Sequence, residues 1–586
     1  MARWRTVALA AAAGGIALWP RAQPGYGVAF WLWVGGVIGY VLSFPRARRP
    51  CAPPAWGAIL GLCAVLALAA VLRLPALQDI PANISIDETL TALDALRIAQ
   101  GRAPNVFSSV GWFFLPNLTF AVPAAFMRTL GPNAFFAARL SSVAMGLAGL
   151  ACVFALGRRL FGACVGVLAS FLMGVSFWHL HNSRTAFPFV QSSFWTAAVL
   201  YLLVRARHDR SRVVMALAGV ALGLALQCYF PTRILLVLCP LFLVAECCRD
   251  RAGVRTLAAD TAVVGLGALL VLAPLLIVVP WETLAGRTQD VLLTHPGVWQ
   301  HLAGEYQVAG LPAVLWRNFR EAGAMFTDWA DVCVLNRSPA GLLDRGTLAA
   351  LVIGIVVVVW RREMHGLLVL AWAALTIVLG VALSDAPRAS YRLAPAMPAL
   401  FLLAALGGQW LAFAVTPRRS RVARGLRLVL ICAAAVWVLV QNCRLFFVDY
   451  ARGRAGDTST GHGADNADSN ARRFMLSHCD GRVFYFVGGW LGPPYDPEPK
   501  GLDVFCPHHR AVPAGRARER IDAVRPATVF VRKEDPLVLD TWRHCYPSAV
   551  VTPQRRRDGD LLYWRVEIAV PDLRAGGACL DAAPAR

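Results

Sequence analysis

Apolar residues run through this chain in long blocks separated by short polar joints. Asking for about 20 predominantly apolar positions per membrane crossing selects 6–20, 25–45, 56–75, 134–156, 162–178, 186–204, 213–229, 232–246, 258–280, 346–360, 365–384, 393–415 and 426–443. The pattern predicts an α-helical polytopic membrane protein of about 13 transmembrane helices. The first block, TVALAAAAGGIALWP, is short enough for a signal peptide. No small-residue cleavage site follows it, so residues 6–20 read as a retained helix.

Three polar stretches divide the blocks. Residues 1–50 form an N-terminal hairpin, and 51–443 a transmembrane domain with large loops at 76–133 and 281–345. Residues 444–586 form a soluble tail. In the first loop, GWFFLPNLTFAVPAAFMRTLG is apolar but broken by Pro116 and Pro123, and reads as an interfacial or re-entrant helix. The tail opens on a Gly/Asp/Asn-rich linker. Helix-like NARRFMLSH and GRARERIDAV then alternate with strand-like RVFYFVG, ATVFVR and LLYWRVEIAV, which predicts a small α/β domain.

Composition agrees: 57% of the residues are hydrophobic and 16% charged, with a mean hydropathy of +0.54; soluble domains carry about 25% charged residues. A net charge of +22 would point to nucleic acid in a soluble protein. Here the arginines instead cluster in alternate short joints, at Arg46, Arg48 and Arg49, at Arg158 and Arg159, at Arg205 to Arg212, at Arg249 to Arg255, at Arg361 and Arg362, and at Arg418 to Arg427. By the positive-inside rule these joints are cytoplasmic. The N-terminus is then inside, and both large loops and the tail are periplasmic or extracellular. Cys479, Cys506, Cys545 and Cys579 all fall in the tail, where an oxidising compartment permits three connectivities.

The first outer loop carries ISIDETLTALDALRIAQG. Ser85 and Glu88 have the spacing of a capping box, in which Glu88 reaches back to the Ser85 amide. Asp87 sits in the first turn, at the positive end of the helix dipole. Asp87 and Asp94, seven apart, share a helix face at the membrane boundary, where a carboxylate suits general-base work or a metal. Other outer joints supply complementary groups: HLHNSRTAF gives His181 and Arg184, YFPTRI gives Tyr229 and Arg233, and LSDAPRASYRLAP gives Arg388, Tyr391 and Arg392. Each arginine alone is explained by snorkelling or loop pairing. Together they outline an outer-leaflet cavity for an anionic headgroup, because guanidinium matches phosphate in a bidentate way. No phosphate-loop or dinucleotide motif is present, and CPHHR lacks a second ligand pair at zinc-site spacing.

The order of IDETLTALDALRIAQG, LGPNAFFAARLSSVAMGLAGLACVFALGRRLFG, HNSRTAF and APRASYRLAPAMPALFLLAALG over residues 56–450 resembles the GT-C glycosyltransferases that use polyprenyl-phosphate sugars. Glycosyltransferase family 39, with its protein O-mannosyltransferases and aminoarabinose transferases, is nearest. The resemblance implies a cytoplasmic-membrane enzyme that moves a sugar, with inversion, from a polyprenyl phosphate to a hydroxyl acceptor on the outer face. Asp87 would be the base, supported by Glu88. Arg392, with Arg388, Arg184 and Arg233, would neutralise the departing phosphate, and Asp94, His181, Tyr229 and Tyr391 would line the cavity. A divalent cation, Mg or Mn, would rest on Asp87 and Glu88 if any is held. The tyrosine usual after the acidic pair is missing, with Thr91 near its place. A transporter and a noncatalytic lipid-binding or assembly protein are the alternatives.

Overall fold

The computed structural model describes residues 2–19, 26–45, 55–81, 84–131, 133–328, 331, 340–414, 421–451, 467–479, 482–487, 504–506, 511–513, 525–533, 536–555 and 560–573. All thirteen apolar blocks are helical. In chain order the body comprises α1 (Ala2–Leu18), α2 (Val28–Leu42), α3 (Trp56–Arg73), α4 (Ile86–Ala99), α5 (Ala121–Leu130), α6 (Ala134–Phe161), α7 (Ala163–Val175), α8 (Phe177–Ser183), α9 (Phe189–His208) and α10 (Arg212–Leu226). It continues with α11 (Leu235–Arg249), α12 (Val254–Val278), α13 (Trp281–Gln289), α14 (Pro296–Tyr306), α15 (Gly310–Ala324), α16 (Arg345–Arg361), α17 (Met364–Ile377), α18 (Met397–Ala414) and α19 (Arg421–Cys443).

Among the described residues, eight helices are long and apolar enough to cross a membrane, or nine if α7 and α8, bent by 67°, count as one span. The remaining apolar blocks form shorter helices. Both α2 and α10 have 15 residues, or about 22 Å of helix against a hydrocarbon core of about 30 Å. Helices α1 and α16, at 17 residues each, are also short. Small residues bring some helices together. Gly354 of α16 and Gly407 of α18 face each other's backbones so closely that a Cβ on either would strike a carbonyl oxygen, of Leu403 or Ala350.

The apolar stretch 111–131 is helical in pieces. Short 3-10 turns at Trp112–Phe114 and Asn117–Phe120 lead into α5, which has only 10 residues. A chain of hydrogen bonds ties this segment down. Gln191 Nε2 donates to Thr119 O (2.9 Å), Thr119 Oγ1 to Gln227 O (3.3 Å), and Gln227 Nε2 to Val271 O (2.8 Å).

The tail contains α20 (Ala467–Ser477), β1 (Val483–Val487), β2 (Ala511–Pro513), β3 (Ala527–Arg532), α21 (Pro536–Cys545), β4 (Val550–Arg555) and β5 (Leu561–Ile568). The strand order is β2-β1-β3-β5-β4. β1 runs parallel to β2 and β3, and β5 antiparallel to β3 and β4. The α/β expectation gains α21, β2 and β4; the predicted helix GRARERIDAV lies outside the described residues. Cys479 bonds to Cys506, selecting one of the three connectivities, and Cys545 is also disulfide-bonded. This removes the Cys506 thiolate that a zinc reading of CPHHR needed. The tail docks on the 76–133 loop and the start of α6: the Phe135 and Phe505 ring centroids lie 5.1 Å apart, Arg472 Nη1 donates to Ile84 O (2.6 Å), and Ala92, Leu96, Met475, Phe484 and Tyr563 share one apolar cluster.

Candidate active site

Helix α4 begins where the sequence places its cap. Ser85 has extended backbone angles, and its Oγ accepts the Glu88 N–H at 3.0 Å. The reciprocal half of the capping box is absent. Glu88 instead sends its carboxylate inward, where Oε1 accepts Arg139 Nε (2.9 Å) and the Ala186 N–H (2.8 Å) while Oε2 accepts Arg139 Nη2 (3.1 Å). Glu88 is 1% exposed and Arg139 is fully buried. Arg139 Nη1 also donates to Leu77 O (2.9 Å), Gln78 O (3.2 Å) and Pro81 O (3.1 Å). A buried ion pair demands such complete satisfaction, since each charge has left water. Here it pins the start of α4 to α6.

Successive helical residues point about 100° apart, so fixing Glu88 inward turns Asp87 onto a different face. Asp87 lines a cavity of about 500 Å³ together with Tyr229, Arg233, Tyr391 and Arg392. The cavity's elements come from across the chain. The α9 start gives Phe187 and Phe189, the turn before α11 gives Tyr229, Phe230, Pro231, Arg233 and Ile234, and the 281–345 loop gives Val291, Leu292 and Thr294. That loop is stitched to the end of the α17 region, where Leu293 N–H donates to Leu383 O (3.0 Å) and Asp385 N–H to Val291 O (2.8 Å).

Two kinds of surface meet in this cavity. Phe187, Phe189 and Tyr391 stack successively at 4.6 and 5.1 Å, with Tyr229 tilted against Phe189 at 5.3 Å. Val237 and Leu379 line the cavity yet are 43% and 38% exposed, so its wall continues onto the apolar outer face of the helices. Against this stand two guanidinium groups. Arg392 Nη1 pairs with Asp385 Oδ1 at 2.6 Å; Arg233 Nη2 donates to Leu284 O at 3.1 Å, and its guanidinium lies 4.6 Å from the Phe230 ring centroid. Among the described lining residues Asp87 is the one carboxylate.

The remaining expected site residues lie elsewhere, and their placement corrects the sequence reading. Arg184 is fully buried and donates to the carbonyls of Leu72, Arg73, Pro75, Ala76 and Ile80 at 2.8 to 2.9 Å. It closes the open end of α3 and its following turn, leaving no donor for a phosphate. Arg388 pairs with Glu321 (2.6 Å) and Asp328 (3.5 Å) of the second outer loop. His181 is buried, with Nε2 3.0 Å from the Tyr450 hydroxyl. Asp94 lies behind the cavity, accepting the Trp112 N–H at 2.5 Å and Arg97 Nη1 at 3.3 Å. Gly111 permits this, since a Cβ there would fall 2.5 Å from Asp94 Oδ2. Burial chiefly raises the Asp94 pKa above the usual aspartate value, against the lowering effect of Trp112 and Arg97.

Glu88 is likewise not among the residues lining the cavity. With its oxygens engaged by Arg139 and Ala186, the Asp87–Glu88 pair does not fit the two-carboxylate cation site that the resemblance implied. Sequence reading missed Arg139 altogether, although a charge two turns into an apolar helix signals a buried partner.

The family model described as "Dolichyl-phosphate-mannose-protein mannosyltransferase" matches residues 116–281. No curated protein matches the chain. Among solved structures, the chain is similar to ArnT from Cupriavidus metallidurans bound to undecaprenyl phosphate. The TM-score is 0.50 at 15% identity, over 88% of this chain and 98% of that one. A weaker likeness is to the oligosaccharyltransferase AglB from Archaeoglobus fulgidus in complex with an inhibitory peptide and a dolichol-phosphate, with a TM-score of 0.48 at 12% identity over 87% and 74% of the two chains. This multi-pass membrane protein thus shares its fold with the first of these structures.

Proposed function

We propose that the chain is a membrane glycosyltransferase that passes a sugar from a polyprenyl-phosphate donor to a hydroxyl acceptor. The observation that carries this reading is the meeting of Asp87, Arg233 and Arg392 in one cavity whose wall runs out onto the lipid-facing surface. A polyprenyl chain enters along Val237 and Leu379 from the bilayer. Its phosphate comes to rest between the two arginines, with the sugar toward the aromatic stack. The positive-inside pattern of the arginines supports an outer-face position for this end of the bundle, and a disulfide in the tail that docks there agrees with an oxidising compartment.

Asp87 accepts the acceptor's hydroxyl proton as that oxygen bonds to the anomeric carbon. The bond from this carbon to the phosphate oxygen breaks on the opposite side, and the electron pair leaves with the polyprenyl phosphate. Arg392 and Arg233 stabilise the negative charge that gathers there, in surroundings where water competes weakly. Asp385 holds Arg392 in place without saturating its five donors. A double displacement needs a carboxylate nucleophile besides the acid/base. With Asp87 the one carboxylate among the described lining residues, single displacement with inversion is the reading favoured.

The direct test is chemical identification of lipid carried through purification of the full chain. Polyprenyl phosphate is expected with the unaltered protein and lost from the Arg233→Gln/Arg392→Gln double variant. Ordinary phospholipid alone, in equal amount in both, would contradict the proposal.

A further inference from the structure

The same three helices that frame the cavity converge again at their far ends, on chemistry that sugar transfer does not use. Phe189 of α9, Val237 of α11 and Thr376 of α17 line the cavity; His208 ends α9, Glu246 lies in the last turn of α11, and His365 opens α17. The 20 residues of α9 put about 30 Å between its two ends. One ligand atom from each of His208, Glu246 and His365 falls within 4.8 Å of the others.

We infer that His208, Glu246 and His365 form a site for a divalent transition-metal ion, zinc in the first place, which ties α9, α11 and α17 together at the arginine-rich end of the bundle. A tetrahedral ion with ligand bonds of about 2.0 to 2.2 Å separates neighbouring ligand atoms by about 3.3 Å. The structure shows His365 Nε2 at 2.9 Å from Glu246 Oε1, and His208 Nε2 at 3.3 Å from Glu246 Oε2. Each imidazole nitrogen thus already lies beside one oxygen of the Glu246 carboxylate, so an ion held between the two rings would be within reach of that carboxylate.

His208 supplies an independent sign. Its Nε2 is buried and lies 3.3 Å from Glu246 Oε2 without a well-directed hydrogen bond to it. A lone pair aimed at an ion is the use for which that geometry is suited. The acid is equally prepared: Glu246 is 2% exposed, and Arg249 donates to its Oε2 from Nε (3.1 Å) and Nη2 (2.9 Å). This guanidinium orients the carboxylate from outside the ligand set, as second partners of metal ligands do, and leaves Oε1 beside the imidazole of His365. Its charge is offset by Asp250 Oδ1, 3.0 Å from Arg249 Nη2. Two imidazoles and one carboxylate favour zinc, cobalt or nickel over magnesium and calcium, which prefer all-oxygen surroundings. Because the three ligands come from three helices, the ion would fix their mutual register while the opposite ends shape the donor cavity.

The test uses the full chain in detergent, stripped with chelator, loaded with zinc ion alone and passed through gel filtration before elemental analysis. About one zinc per chain is expected, retained by Asp87→Asn and lowered at least tenfold by the His208→Ala/His365→Ala double variant. Cobalt ion should give the intense visible absorption of a tetrahedral centre in the unaltered protein but not in that variant. Should the double variant aggregate, His365→Gln, close to histidine in size, should still lose the cobalt spectrum. Arg249→Met should weaken zinc binding about 10- to 100-fold. Zinc content near zero in the unaltered protein, or undiminished in the histidine variants, would overturn the assignment. Because Asp87→Asn leaves the site intact, failure of the transferase proposal does not touch this one.

Discussion

Replacing Glu88 separates the two neighbouring carboxylates by role. The Glu88 carboxylate receives three charge-supported hydrogen bonds at 2.8 to 3.1 Å from Arg139 and the Ala186 amide, with both side chains out of solvent. Glu88→Gln keeps the volume and one acceptor for Ala186 but leaves the guanidinium of Arg139 buried without its counter-ion. Breaking a buried pair in this way costs about 3–5 kcal/mol, a shift of roughly a hundredfold to several thousandfold in the folding equilibrium. Arg139→Met/Glu88→Leu removes both charges and should recover much of that loss, because an apolar pair of similar volume replaces a buried ion pair at little cost. Thermal denaturation in detergent, followed by tryptophan fluorescence, reads all three proteins. The single variant should melt well below the unaltered chain and the double variant between them. Glu88→Gln that melts normally while losing turnover as completely as Asp87→Asn would refute the structural role and restore Glu88 to the chemistry.

Arg392→Gln should raise the donor's dissociation constant about 10- to 100-fold, since hydrogen bonds to charged groups contribute about 1.5–3 kcal/mol; titration with a radiolabelled polyprenyl phosphate measures it. Arg388→Gln, which only loosens a partly exposed pair with Glu321, should change donor affinity by less than about fivefold in the same titration. Arg184→Gln should lower thermal stability, because it strips hydrogen bonds from five carbonyls, while donor affinity at matched folded fraction stays constant. The raised pKa of Asp94 means the folded state binds the proton more tightly than the unfolded one. Its contribution therefore favours folding below the usual aspartate pKa and is lost as pH climbs through the raised value. Asp94→Asn, which keeps an acceptor for the Trp112 N–H, should flatten this part of a melting-temperature profile across acid pH; an unchanged profile would argue against the raised value.

How far the sequence could be read follows from which interactions are local. Runs of apolar residues and the Ser85 cap act within one or two turns, so the helical blocks and the start of α4 were legible directly. The destinations of the arginines were not. Arg184 and Arg392 present the same local signal, a cation at the mouth of an apolar helix. Yet one folds back onto carbonyls at Leu72 to Ile80 and the other faces the cavity beside Asp385. The partners of Glu88 stayed hidden for a similar reason: Arg139 and Ala186 are 51 and 98 residues away. An uncompensated Arg139 inside an apolar helix held a usable clue, because it needed one carboxylate of the preceding loop and so left only the other for the cavity. The His208, Glu246 and His365 cluster joins positions up to 157 residues apart by their numbering, with no spacing that marks it.

Turnover and donor binding measured side by side on Asp87→Asn address the central claim most directly. The lost base should cut transfer by about a hundredfold to ten-thousandfold, while the dissociation constant for polyprenyl phosphate, set by Arg233 and Arg392, stays within about threefold of the unaltered value. Undiminished transfer by that variant would contradict the account.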